Sequence, residues 1–113
     1  MNGNVWSLMS LFAAVLVLAG CPSRSNPEPG PATKAQVTAY LAFNPASSAE
    51  RIEAGRQLVI TNCRRCHGYP TPDEVEQDEW PSVAKKMCKR TKIPESDHAL
   101  VVEYLVSVSR PRP

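Results

Sequence analysis

The decapeptide "TNCRRCHGYP" (residues 61–70) holds two cysteines, a histidine and two arginines, and its reading decides the fold. Cys63 and Cys66 are two residues apart, and His67 follows directly. In a c-type haem the two thiols add to the two vinyl groups, and the two-residue gap sets their reach. The adjacent histidine then lies beneath the iron and binds it through an imidazole nitrogen. The spacing therefore has a mechanical reason and reads as covalent haem attachment. Three alternatives use the same residues. A thioredoxin-like dithiol needs a βαβ pattern around it, and none is visible. A structural zinc site needs four ligands, commonly from two pairs. The further Cys and His candidates of the domain, Cys88 and His98, are unpaired and far downstream. A disulfide framework suits an oxidising compartment but leaves His67 a coincidence.

Upstream, Ser47 and Glu50 have the S-x-x-E spacing of a capping box, which starts a helix near Ser48. It continues through "AERIEAGRQLVITN" and runs directly into Cys63. Ile52, Gly55 and Val59 share one stripe, with Leu58 beside it. Gly55 is costly inside a helix unless another element must approach closely there. Downstream, a second helix begins around "EWPSVAKKMCKR", with Pro81 in the first turn, where its missing N–H has no partner to lose. Trp80, Val83, Ala84 and Met87 form its apolar face. The third, "PESDHALVVEYLVSVS", repeats Val101, Tyr104, Leu105 and Val108 at helical spacing, widened by Leu100. Glu95 and Asp97 near its start suit the helix dipole, and Pro111 ends it. With no convincing strand alternation, the expectation is an all-α domain. Three short helices make a thin core, so something else is expected to fill the middle.

Leu8 to Ala19 is almost wholly apolar, about the length of a signal-peptide core and short for a bilayer span. It ends in Leu18-Ala19-Gly20-Cys21, which resembles the lipobox of bacterial lipoproteins. That resemblance implies export, lipidation of Cys21 and retention in the cell envelope on the periplasmic side, since two or more acyl chains anchor stably. One departure is that "MNGNVWS" lacks Lys and Arg; an ordinary signal peptide or an uncleaved anchor is the alternative. Pro22 carries no clear inner-membrane retention signal. Of 113 residues, removal of 20 leaves 93, enough for one small domain. The expected division is a signal peptide over 1–20, a Pro-rich tether over 21–45 and a haem domain over 46–110. "CPSRSNPEPGPATK" (21–34) reads as an extended tether lifting the domain off the membrane. "AQVTAYLAFNP" (35–45) stays open between a helical turn and a packed stretch of chain. The formal net charge of +2 favours no nucleic-acid partner, and neither a phosphate loop nor a basic-aromatic stripe appears.

"AGRQLVITNCRRCHGYPTP" resembles the N-terminal segment of cytochrome c, in which a Gly-bearing helix leads into the motif. "EWPSVAKKM" followed by "HALVVEYLVSV" is similar to small bacterial monohaem c-type cytochromes that have a Trp-Pro and a Met before the last helix. The likeness covers about residues 47–109. It implies a cytochrome c-like fold around one covalent haem c, with first and last helices crossing and Gly55 admitting an aromatic residue, Tyr104 being the candidate.

His67 then occupies one axial position. Met87 is the candidate for the other: it shares a face with Trp80 and Val83, and it follows His67 by twenty residues. With Met1 and Met9 removed in processing it is the last methionine left. A methionine on an apolar helix face is otherwise core filler. His98 is the rival, read as solvent-facing, and Cys88 reads as a small buried residue or a free thiol. Tyr69 and Trp80 are expected near the porphyrin. A neutral thioether favours ferrous iron and raises the potential. Cys63, Cys66, His67 and Met87 thus make the expected cofactor site, with His67 and Met87 on the metal. No nucleophile or acid–base pair emerges, so the expectation is an electron carrier with unidentified redox partners. The rival is a haem sensor with an open or weakly held sixth position. Residues 71–79 hold five acids and 85–92 five bases. The basic run could steer an acidic partner if it borders the haem edge.

Overall fold

The computed structural model describes residues 26–63 and 68–111, and every regular element among them is helical. In chain order these are α1 (Lys34–Phe43), α2 (Ala49–Asn62), α3 (Trp80–Thr91) and α4 (His98–Val108), with 3-10 turns at Pro72–Glu74 and Glu95–Asp97. The all-α expectation holds, and α2, α3 and α4 are the three helices read from the sequence. Residues 1–20, Cys21 and the rest of the chain before Asn26 lie outside the described residues. Among the described residues no helix is long and apolar enough to cross a membrane.

Local chemistry sets the helix ends. α2 starts one residue later than the S-x-x-E spacing implies: Ser48 is the N-cap, its hydroxyl accepting the Arg51 N–H at 3.2 Å. Ser47 instead donates across the fold to Glu103 at 2.5 Å. α3 carries Pro81 in its first turn, as expected, and ends where Lys92 turns left-handed at φ 61°. That reversal lets the Ile93 N–H donate at 3.2 Å to the Cys88 carbonyl, which also accepts the Lys92 N–H, and so closes the helix end. The stretch 94–109, read as one helix, divides into the Glu95–Asp97 turn and α4.

α4 is the hub. α1, α2 and α3 all pack on it, the contact with α2 being the most extensive, whereas α2 and α3 hardly touch each other. Val101, Tyr104 and Leu105 are no more than 1 % exposed, as their spacing implied. At the α2–α4 crossing a Cβ on Gly55 would overlap the Leu100 carbonyl oxygen and lie 2.6 Å from its carbon and 2.9 Å from Tyr104 Cβ. Only a glycine lets the two backbones touch there, and Tyr104 is the aromatic residue beside it.

Residues 35–45, left open by the sequence, fall mostly in α1. Thr33 and Gln36 form a reciprocal capping box: the Gln36 N–H donates to Thr33 Oγ1 at 3.2 Å, and the Thr33 N–H to Gln36 Oε1 at 2.8 Å. No residue of α1 is fully buried; Val37 and Tyr40 lie half-buried against the core. The tether also differs from expectation. From Asn26 onward it runs along the domain rather than away from it. The Asn26 amide donates to the Tyr69 carbonyl at 2.8 Å, Arg56 to the Pro29 carbonyl at 3.0 Å, and the Tyr104 hydroxyl to the Gly30 carbonyl at 2.7 Å. Prolines leave such a segment with carbonyls to offer and few N–H groups to satisfy.

Candidate functional site

Because α2 and α3 each pack on α4 but not on each other, a gap remains between the end of α2 and the flank of α3. It is a cavity of about 250 Å³, closed on its remaining side by the loop that follows the cysteine motif. Cys63 enters it from the end of α2. Its N–H bonds the Val59 carbonyl at 2.9 Å, so the helix itself orients the residue, and its side chain is buried. Tyr69 and Val75 line the cavity from the loop, and Trp80, Val83 and Met87 from α3.

The apolar face of α3 splits into two rows. Trp80, Ala84 and Cys88, four residues apart, are buried within the protein at 1 % exposure or less. Val83 and Met87, the neighbouring row, are only half-buried and line the cavity. Trp80 reaches both environments: its ring lines the cavity while its indole N–H donates to the Pro72 carbonyl at 2.9 Å. The polar handle is thereby satisfied outside the apolar space.

The expected site residues are therefore placed as follows. Cys63 and Met87 line one cavity, together with both aromatic residues expected there, Tyr69 and Trp80. Cys66 and His67 lie outside the described residues. His98 is not solvent-facing as expected; it is 7 % exposed and bonds Ile93. Its Nε2 lies 2.9 Å from the Ile93 carbonyl oxygen, which can only accept, so Nε2 carries the proton. The ring closes the turn between α3 and α4 and does not line the Cys63/Met87 cavity. Cys88 is buried and not disulfide-bonded, and burial pushes its thiol pKa up, which keeps it protonated and inert. It too stays outside the cavity lining.

Of the bases over 85–92, Arg90 alone lines the cavity. Lys85, Lys86, Lys89, Arg90 and Lys92 are all exposed. Arg90 and Lys86 flank a shallow groove against Val83 and Met87. The acids of 71–79 are exposed as well, with Glu74 at the rim and Asp73 3.4 Å from Arg110. Sequence reasoning missed Asn26 and Val75 as lining residues. Neither sits in a recognisable motif; their place depends on the loop's path.

Comparison of the chain with protein-family models, with curated proteins and with solved structures finds no match.

Proposed function

We propose that the protein is a monohaem c-type cytochrome, tethered by a lipidated Cys21 on the periplasmic side of the cell envelope, that carries single electrons between partner proteins. One observation carries this reading. Cys63, the first cysteine of Cys63-x-x-Cys66-His67, lines the same apolar cavity as Met87, the last methionine of the mature chain. The chemistry of the lining suits an apolar macrocycle: thiol and thioether in one space, walled by Tyr69, Val75, Trp80 and Val83. The zinc alternative loses support, because Cys88 and His98 do not join Cys63 at its cavity.

Haem, when bound, supplies an iron centre that takes up and returns one electron. Cys63 and Cys66 would hold it covalently, and His67 and Met87 would bind the iron. A thioether ligand such as Met87 would favour the ferrous state, and His67 and Met87 together would deny small ligands access to the iron. Trp80, Val83 and Tyr69 give the site its apolar walls. Arg90 and Lys86, beside Met87, favour docking of a partner with an acidic surface; rates that fall steeply with added salt support this, and a flat response rejects it.

The test is expression with haem-attachment machinery. A Soret absorption that stays with the chain through denaturing electrophoresis and is lost in the double variant Cys63→Ala with Cys66→Ala is the expected result. Pure protein without a Soret band returns the motif to thiol exchange or zinc.

A further inference from the structure

We propose that residues 26–31 are a docked strap that holds the rim of the Cys63/Met87 cavity toward the membrane carrying Cys21. This rests on the lipid-anchor reading above. The strap is fixed at three points, two by side chains from α2 and α4 and one by its own Asn26. Asn26 bonds the Tyr69 carbonyl, Arg56 the Pro29 carbonyl and Tyr104 the Gly30 carbonyl. The Tyr104 side chain is almost wholly buried, and Gly30 gives its hydroxyl a partner there. Pro27, Pro29 and Pro31 pre-set the extended path, so little freedom is lost on docking. The strap forms one wall of a groove whose facing wall includes Pro70, Thr71 and Pro72, the loop leaving the motif. Asn26 itself lines the Cys63/Met87 cavity.

Docking changes the geometry of the anchor. A free tether from Cys21 to Pro45 would reach up to about 85 Å, at roughly 3.6 Å per residue. With the strap docked, Cys21 is only five steps of chain from Asn26, at most about 18 Å. The Asn26–Tyr69 edge, and the cavity rim with it, is held that close to the bilayer. The opposite end of α2, where Ser47 meets Glu103, is a helix length away, about 21 Å for its 14 residues. Electrons would then pass between the cavity and a partner seated in the same membrane.

The full mature lipoprotein in nanodiscs, with a gadolinium-chelating lipid in the headgroup layer, tests this through the broadening of its amide resonances. The expected result is several-fold stronger broadening at Gly68 and Tyr69 than over residues 47–51. A Gly/Ser insertion of about 20 residues between Ser25 and Asn26, which adds up to some 70 Å of reach and leaves the strap intact, should abolish that gradient. The unlatched double variant Asn26→Ala with Tyr104→Phe should flatten it. Broadening that is uniform, or unchanged by the insertion, overturns the strap. Retention on the discs, lost in Cys21→Ser, reads the anchor separately. A wild-type chain that is not retained overturns the anchor and the proposal with it.

Discussion

The α2–α4 crossing and the α2–α3 gap are built from the same helix and behave differently. At the crossing, Gly55 brings two backbones together and Ile52, Val59, Val101 and Leu105 close the space with protein alone. Across the gap, Val83 and Met87 present a half-buried apolar row where, among the described residues, α2 and α3 hardly touch. One end of α2 is finished by its own sequence; the other ends in a cysteine that opens on a cavity.

The sharpest way to break the comparison is Gly55→Ala. The added methyl meets backbone, which cannot rotate away, so α2 and α4 must separate. The expected loss is about 3 kcal/mol or failure to fold, read by urea unfolding. A loss below about 1 kcal/mol would show that the crossing is looser than described. Next, Leu105→Ala should cost about 3 kcal/mol, because its site is closed on all sides. Val83→Ala, on the half-covered row, should cost about 1 kcal/mol or less. Equal losses would erase the distinction between the two regions.

Tyr104→Phe sharpens it further, since Tyr104 serves both the crossing and the strap. Loss of its bond to Gly30 should cost about 1 kcal/mol. Burial pushes the Tyr104 pKa up to about 12. The unfolded phenol titrates near 10. The folded pKa is the higher, so this contribution is whole below about pH 10 and is lost as pH rises toward about 12. The Phe variant should show a shallower alkaline decline in that window. The smallest effect belongs to Glu103. Its burial raises the carboxyl pKa, but hydrogen bonds from Arg51 and Ser47 and the Arg51 charge bring it net below the usual value. The stability this adds is present above the ordinary carboxylate range and lost as pH falls through the folded pKa. Solvent screening at the half-exposed Arg51 keeps the loss in Glu103→Gln under about 1 kcal/mol, with a blunted acid transition.

Much of this was legible in the sequence where one helix face carries the signal. The Ile52, Gly55, Val59 stripe and the Val101, Tyr104, Leu105 stripe are buried as their spacing implied. On α3 the spacing found the apolar face but not its division, because nothing in a single helix says which row meets protein and which meets a cavity. α1 escaped because none of its residues is fully buried, so no stripe stood out. Its signal was the Thr33-x-x-Gln36 capping box, the same kind of spacing that located α2. His98 read as exposed because its partner, the Ile93 carbonyl, belongs to backbone that no side-chain pattern announces. The strap was invisible for the same reason: Pro29 and Gly30 offer carbonyls to Arg56 and Tyr104, distant in the chain.

The most direct test of the central claim is the visible and near-infrared spectrum of the ferric protein made with the attachment machinery. The account predicts a Soret band together with a weak near-infrared sulfur-to-iron band, the latter absent in Met87→Ala. A Soret band without the near-infrared feature, or one whose feature survives Met87→Ala, would contradict Met87 as the ligand that completes the site.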